Sequence, residues 1–339
     1  MKTILLFLSV FLSVSLFAQN VYIPDANFKA LLVGNFQINS NGDNEIQVSE
    51  ASTYSGGMSY YNQNISDLTG IEAFTALTYL DCSGNQLTSL DVSQNTALTT
   101  LYCGSNQLTS LDVSQNTALE YLNCQSNQLT SLDVSQNTVL EELNCNFNQQ
   151  LMSLNLNGAD ALAELYCNQN QLTSLDVSNN TALTELRCGG NQLTSLDVSQ
   201  NTALTRLFCG YNQLTSLDVS NNTALTDLQC GGNQLTSLDV SQNTALEWLD
   251  CEYNQLTSLD VNWSDAAVNN LGCSHNQLTC LKVANGNNLV TFSALENPNL
   301  TCIEVDDAEW STENWNSYLG DQMYFSNNCN YPENCGEST

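Results

Sequence analysis

Apolar and polar positions alternate in a fixed order that recurs along most of the chain. In one copy, Leu77, Leu80, Cys82 and Leu87 are the apolar positions. The alternation around Leu80 and Cys82 has the two-residue period of a short β-strand with one buried face. The phrase Thr-Ser-Leu-Asp-Val-Ser that follows is too short and too β-branched for a helix. It predicts a second short extended segment in each copy.

The copies recur at a nearly constant spacing, which is clearest in the cysteines. Ten of the 14 cysteines stand 21 residues apart, with two steps of 22: Cys82, Cys103, Cys124, Cys145, Cys167, Cys188, Cys209, Cys230, Cys251 and Cys273. The surrounding phrase L-x-x-L-x-C-x-x-N-x-L is the leucine-rich-repeat signature, with Cys in place of the third Leu. A single 21-residue copy cannot offset the entropy of ordering it, so the copies must stack.

The predicted fold is therefore a leucine-rich-repeat solenoid, a β-rich horseshoe or right-handed superhelix. A parallel β-sheet is expected on its concave face and short extended segments on its convex face. The ten cysteines fall in one inward column, and in-register neighbours point their Cβ atoms the same way, which disfavours disulfides. They are predicted to be reduced packing residues, with a metal or redox role as the alternative.

This repeat resembles the internalin adhesins, in particular internalin J, and the exported leucine-rich-repeat proteins of Bacteroidetes and Flavobacteria. The resemblance rests on the 21-residue period, the cysteine column and the phrase N-x-L-T-S-L-D-V-S, and it covers nearly the whole chain after residue 18. It implies a curved solenoid, a reduced cysteine ladder and a role in binding or adhesion. It implies no particular ligand.

The flanks of the repeat predict export and two caps. Residues 1–18, with Lys2 before the apolar run Ile4 to Phe17, have the pattern of a signal peptide, and a buried N-terminal helix is the alternative. Residues 19–56 are predicted to form an N-terminal cap, 57–300 the solenoid and 301–339 a C-terminal cap. Pro24 opens a small predicted helix with Phe28 on its apolar face.

The N-terminal cap contains a loop that resembles an EF-hand calcium loop. Its five predicted ligands, counting the Glu45 carbonyl, are Asn39, Asn41, Asp43, Glu45 and Glu50. Asn39 replaces the usual first Asp, and Asn44 replaces the usual Gly. A polar loop closed by Asx turns, with no metal, is the alternative.

Four cysteines lie outside the repeat column and are the candidates for disulfides. They are Cys280, Cys302, Cys329 and Cys335. A Cys302–Cys329 bond would attach the C-terminal cap to the last coil, and Cys280–Cys302 is the rival pairing.

The residues flanking Leu and Cys on the predicted strands vary from copy to copy, whereas the convex phrase hardly changes. Aromatic and Arg side chains among them are typical of protein interfaces, although unselected drift at exposed positions would also give variation. The predicted partner-binding residues on the concave face are Tyr79, Asp81, Tyr102, Tyr121, Glu142, Glu164, Tyr166, Arg187, Arg206, Phe208, Asp227, Trp248 and Asp250.

Two polar columns have structural interpretations. Asn85 and its equivalents are expected to satisfy backbone groups where the chain leaves the strand. Asp91 and its equivalents are expected to accept hydrogen bonds in the following turn, with a row of bound cations as the alternative. The lone histidine, His275, is expected to be exposed at a strand end.

Charge narrows the function further. With 35 acidic and 5 basic residues, the formal net charge is -30, which disfavours nucleic acid and anionic lipid as partners. No segment after the signal peptide is long and apolar enough to span a membrane, and no catalytic motif is present. The expected function is a secreted or cell-surface binding protein, not an enzyme, that recognises a protein. Carbohydrate binding and a structural matrix role are the alternatives, and calcium is the one candidate cofactor.

Overall fold

The computed structural model describes residues 19–261, 268–283, 291–315, 322–331 and Cys335. The predicted signal peptide, residues 1–18, lies outside the described residues. Over the described part of the chain, no helix is long and apolar enough to cross a membrane.

A parallel sheet of twelve three-residue strands runs along one face of the stacked coils. We call it the concave sheet. Each strand carries the Leu of the repeat at its centre, and Leu80 pairs in register with Leu101 on the next strand. The strands are Gly57–Ser59 (β1), Tyr79–Asp81 (β2), Thr100–Tyr102 (β3), Tyr121–Asn123 (β4), Glu142–Asn144 (β6), Glu164–Tyr166 (β8), Glu185–Arg187 (β9), Arg206–Phe208 (β10), Asp227–Gln229 (β11), Trp248–Asp250 (β12), Asn270–Gly272 (β14) and Thr291–Ser293 (β16).

The second extended segment forms ladder strands in only some of the described coils. One pair is Ser131–Asp133 (β5) with Ser153–Asn155 (β7), and a four-stranded sheet joins Ser258–Asp260 (β13), Cys280–Lys282 (β15), Cys302–Glu304 (β17) and Tyr324–Ser326 (β18). Elsewhere side chains hold the segment. Asp91 accepts from the Ser93 N–H at 2.9 Å, which confirms the turn predicted for this column and keeps the pKa of that carboxyl below its usual value.

Two asparagine columns supply the hydrogen bonds that the short strands cannot. In the predicted column, the Asn106 amide donates to the Cys82 and Cys103 carbonyls at 3.0 Å, and its oxygen accepts from the Leu87 N–H. This confirms the structural role expected of the column. A second buried asparagine column is not predicted from the sequence. In it, the Asn201 amide donates to the Val177 and Asn180 carbonyls at 2.9 Å.

The Leu, Val and Cys columns form one continuous apolar core. All ten ladder cysteines are buried, and none of them is in a disulfide. Burial raises the pKa of the Cys82 and Cys209 thiols to about 12, so they stay protonated and unreactive at neutral pH. The ladder is therefore a packing column.

The N-terminal end of the core is covered by two short helices. Helix α1 (Ala26–Val33) begins after Asp25, whose carboxylate accepts from two backbone N–H groups of its first turn. The Phe28 ring of α1 is fully buried and meets Tyr60 edge-on, with ring centroids 5.8 Å apart. Helix α2 (Val48–Thr53) starts with a capping box between Gln47 and Glu50.

At the other end, helix α3 (Ala308–Trp315) packs Trp315 against Phe292 and Phe325. Two disulfides are present, Cys302–Cys329 and Cys280–Cys335. The rival pairing Cys280–Cys302 is wrong. Those two residues occupy equivalent positions on the neighbouring parallel strands β15 and β17, where side chains point the same way and meet poorly for a disulfide.

Candidate binding surface

Two columns of side chains project outward from the concave sheet. The first column precedes each central Leu and the second follows it. The in-register pairing of neighbouring strands defines the members of both columns. The first column contains Tyr79, Thr100, Tyr121, Glu142, Glu164, Glu185, Arg206, Asp227 and Trp248, and the second contains Asp81, Tyr102, Asn123, Asn144, Tyr166, Arg187, Phe208, Gln229 and Asp250. All thirteen residues predicted for the concave face stand in these columns. Their role in binding stays a prediction.

The N-terminal third of the surface is aromatic. The Tyr79 and Tyr102 rings meet edge-on at 5.8 Å between centroids. The Tyr121 hydroxyl donates to the Glu141 carboxylate at 3.2 Å. Such contacts order the rings before any partner arrives, which lowers the entropy cost of binding.

The centre is a charged cluster around Glu185, which is not among the residues predicted to bind a partner. The Glu185 side chain is only 2% exposed, and its carboxylate binds Arg187 Nε at 2.5 Å and Arg206 Nη2 at 2.9 Å. The Arg187 guanidinium also lies 4.4 Å from the Phe208 ring centroid and 5.5 Å from that of Tyr166. One feature of the sequence could have indicated this cluster: the chain's two arginines lie on adjacent predicted strands, next to Glu185.

Carboxylates surround this cluster. Burial, and then the neighbouring Glu164, raises the pKa of Glu142, and burial raises the pKa values of Asp227 and Asp250. The Tyr166 hydroxyl donates to the Glu164 carboxylate. The Glu185 carboxylate thus engages both arginines, and the other carboxylates of the two columns outnumber them, so the surface carries a net negative charge.

A third column follows the sheet at the turn two residues after each ladder Cys. Its backbone is left-handed: Gly190 and Gly232 have φ of 65° and 69°, and Phe147, Tyr211 and Tyr253 have φ of 58°, 55° and 55°. Bulky side chains rarely adopt this conformation, which costs energy. Tyr211 is 72% exposed.

His275 belongs to the same left-handed column. It is exposed after strand β14, as predicted, and stacks on Tyr253 with ring centroids 4.1 Å apart.

The third column borders a pocket of about 240 Å³ between the second column and the turns. Its lining residues are Asn168, Gln169, Arg187, Gly189, Gly190, Phe208, Gly210, Tyr211, Gln229, Gly231, Gly232, Asp250, Glu252 and Tyr253. Of these residues, the sequence predicts Arg187, Phe208 and Asp250 for the concave face and does not predict the glycines and tyrosines of the turns.

The predicted calcium loop is closed by its own hydrogen bonds. Asn39 is buried, and its amide donates to the Val33 and Asp43 carbonyls. The Glu50 carboxylate accepts from the Ser40 and Gln47 N–H groups, contacts that lower its pKa against the opposing effect of burial.

The other predicted ligands of this loop are also engaged. Asp43 accepts from the Glu45 N–H at 2.7 Å, Asn41 donates to Asp43, and the Glu45 carboxylate binds Lys29 at 2.7 Å. No group of three or more His, Cys, Asp or Glu side chains among the described residues is arranged to hold a metal. Calcium binding by this loop stays a prediction.

Stacked parallel strands, inward Leu columns and an asparagine ladder define a leucine-rich-repeat protein. A family model described as Leucine Rich repeats (2 copies) matches residues 75–116 and 96–137. The chain is 42% identical over 76 residues, 22% of its length, to internalin J of Listeria monocytogenes serotype 4b (strain F2365). That match spans 8% of the relative's length.

Solved structures extend the comparison over most of the chain. The functional domain of InlJ from Listeria monocytogenes, which includes a cysteine ladder, is 36% identical with a TM-score of 0.72, over 85% of this chain and 68% of that one. The chain therefore belongs to the internalin J type of leucine-rich-repeat proteins. Internalin InlF of strain F2365 shares the fold at 23% identity and a TM-score of 0.62, over 94% of this chain and all of its own.

Proposed function

We propose that this chain is an exported binding or adhesion protein that recognises a protein partner through the concave sheet. The observation that carries the proposal is the make-up of the two outward columns. They place ordered aromatic rings beside charged groups on one continuous face, which is the composition of interface hot spots. No catalytic role is proposed.

The charge of this face specifies the kind of partner. Glu142, Glu164, Asp227 and Asp250 face outward, while both arginines are held by Glu185. A partner with a basic surface is attracted by such a field, and nucleic acid is repelled. Export rests on the signal peptide pattern of residues 1–18, so the secreted protein is expected to begin near Gln19.

The test uses interferometry to measure how tightly the protein without residues 1–18 binds purified surface proteins of the cells that it contacts. A variant with Tyr102→Ala, Tyr166→Ala and Trp248→Ala removes rings from the concave sheet. The control carries Gln115→Ala, Gln200→Ala and Gln242→Ala, exposed positions in the convex half of the coils. We expect the first variant to lose at least about 100-fold in affinity, near 3 kcal/mol, and the control to bind normally.

Binding that survives the triple aromatic substitution would exclude the concave sheet as the recognition face. Rising ionic strength should also slow association with a basic partner. Mass spectrometry of the secreted chain, showing where its N-terminus lies, checks export separately.

A further inference from the structure

The pocket beside the concave sheet has a floor of three glycines that their own φ angles do not require, although a Cβ at Gly210 would come within 2.8 Å of the Gly231 carbonyl oxygen. Gly189, Gly210 and Gly231 directly follow ladder cysteines on three successive coils, and none of them has a positive φ. Other coils carry side chains at this position, such as Ser83, Gln125, Asn146, Asn168 and Glu252. The missing side chains leave a trough along three coils.

Two of the three floor glycines offer unpaired N–H donors, whereas the Gly189 N–H donates to Asn168 Oδ1 at 2.7 Å. In other coils, this backbone N–H donates to the side chain two residues earlier, as Ser83 does to Asp81 and Glu252 does to Asp250, both at 3.0 Å. At Gly210 that earlier residue is Phe208, which accepts nothing. Within the described residues, the Gly210 and Gly231 N–H groups have no acceptor. Because the usual acceptors belong to the second column, these N–H groups face the trough.

The walls combine aromatic faces with hydrogen-bonding groups. Tyr211 lies over Gly232, since a Cβ built there would be 2.9 Å from its ring, and Tyr253 stands two coils away, half exposed. Asp250 and Glu252 bring carboxylate acceptors to one end. Both tyrosines keep left-handed backbones where Gly190 and Gly232 have glycine.

From this geometry we propose that the trough is a subsite for one ring of a neutral saccharide. A sugar hydroxyl both donates and accepts, so it matches N–H donors on the floor and carboxylates at the end. The C–H face of a sugar ring packs on tyrosine. A volume of about 240 Å³ lies below the roughly 300 Å³ at which drug-sized pockets begin, which suits a single ring.

Other ligand classes fit less well. An anionic ligand would be repelled by the Asp250 and Glu252 carboxylates. Arg187 cannot offset this repulsion, because it is already bound by Glu185. In an extended peptide, the carbonyls that point to the same side recur about every 6.6 Å, whereas the N–H donors of the floor on adjacent coils are about 4.8 Å apart. The two spacings do not match, so a peptide backbone cannot pair with both donors. This proposal is independent of the protein-binding one, because Tyr102, Tyr166 and Trp248 do not line the trough.

The experiment uses the full chain without residues 1–18 and tetrasaccharides of glucose, galactose, mannose and N-acetylglucosamine, with tetragalacturonate as the anionic counterpart. Calorimetry measures binding to wild type, to Gly189→Gln and to Tyr211→Ala. Gly104→Gln is the matched control, because a Cβ at Gly189 or Gly104 meets a neighbouring backbone oxygen at the same 3.1 Å. Phe147→Ala is the control for the tyrosine.

We expect at least one neutral tetrasaccharide to bind more tightly than tetragalacturonate. Gly189→Gln and Tyr211→Ala should weaken that binding at least about tenfold, with both controls within about twofold of wild type. Circular dichroism establishes that each variant is folded. The proposal is overturned if no neutral tetrasaccharide binds at millimolar concentration, or if the control substitutions weaken binding as much as Gly189→Gln and Tyr211→Ala do.

Discussion

At the scale of single residues, the most informative positions are those where the backbone conformation and the side chain disagree. Tyr211 and Phe147 adopt a left-handed backbone that Gly190 and Gly232 adopt without steric cost. A side chain of this size in that conformation carries about 1 kcal/mol of strain. The turn of the repeat imposes this conformation on successive coils, since Ser105, Ser126 and Gln169 adopt it as well.

Replacing Tyr211 with glycine should therefore stabilise the fold. We expect the free energy of unfolding to rise by up to about 1 kcal/mol in urea titrations, because relief of strain outweighs loss of a mostly exposed ring. Phe147→Gly should behave alike. A loss of more than about 1 kcal/mol in both would show that these rings contribute packing that outweighs the strain.

The burial of Glu185 could not be predicted from its own position in the sequence. Its position in the strand predicts an outward, solvated side chain, as for Glu142 and Glu164. Burial arises because arginines from its own strand and the next one close over it. That depends on three side-chain orientations, which a two-residue alternation does not encode.

At the scale of elements, the repeat made most of the fold predictable. Strand positions, the cysteine column and helix α1 follow from periodicity and capping, since each coil must bury the same columns to stack. The second asparagine column was missed because Ser-Gln-Asn-Thr has the composition of an exposed turn. The trough was missed because glycine after Cys reads as turn variation within one coil and becomes a groove only across three.

The second asparagine column should carry much of the stability of each coil. Asn201→Ala removes two donors from buried carbonyls, so we expect a loss of about 2–4 kcal/mol in the free energy of unfolding. Gln200→Ala, next to it and exposed, should change stability by less than about 0.5 kcal/mol. Equal losses of stability for the two substitutions in urea titrations would show that the asparagine column does not stabilise the coils.

The cysteine ladder should make the fold sensitive to alkali. Folded thiols keep their protons because burial raises their pKa values, to about 12 for Cys82, whereas unfolded thiols ionise near pH 9. The unfolded chain thus binds fewer protons above pH 9, and stability falls as pH rises, by about 1.4 kcal/mol per thiol per pH unit.

With ten ladder thiols, circular dichroism should show unfolding between about pH 9 and 11. Ellman's reagent should find these thiols unreactive at pH 8 until denaturant is added. Native spectra retained at pH 11, or rapid labelling at pH 8, would contradict a buried, protonated ladder.

The N-terminal loop supports a separate prediction about calcium. Calcium must displace the N–H donors that now occupy Glu50 and Asp43, so we expect millimolar affinity, as in weak extracellular sites. Calorimetry should show heat with the wild type and none with the Asp43→Ala, Glu50→Ala variant. Identical calorimetric traces for the two proteins would show that this loop does not bind calcium.

At the scale of the whole molecule, the net charge of -30 acts on the fold and on binding in opposite senses. Repulsion among carboxylates destabilises the folded chain, and salt screens it because the Debye length falls to about 3 Å at 1 M. The same screening weakens attraction between the acidic concave sheet and a basic partner. Salt should therefore strengthen the fold while weakening recognition.

We expect Tm at pH 7 to rise by several degrees as NaCl increases from about 10 mM to 1 M. The control is the same series near pH 4, where carboxylates begin to protonate and the gain should shrink. Partner affinity at pH 7 should fall over the same range of salt. A Tm that falls with salt at pH 7 would mean that attractive ion pairs, such as those of Glu185, outweigh the repulsion of the surplus carboxylates.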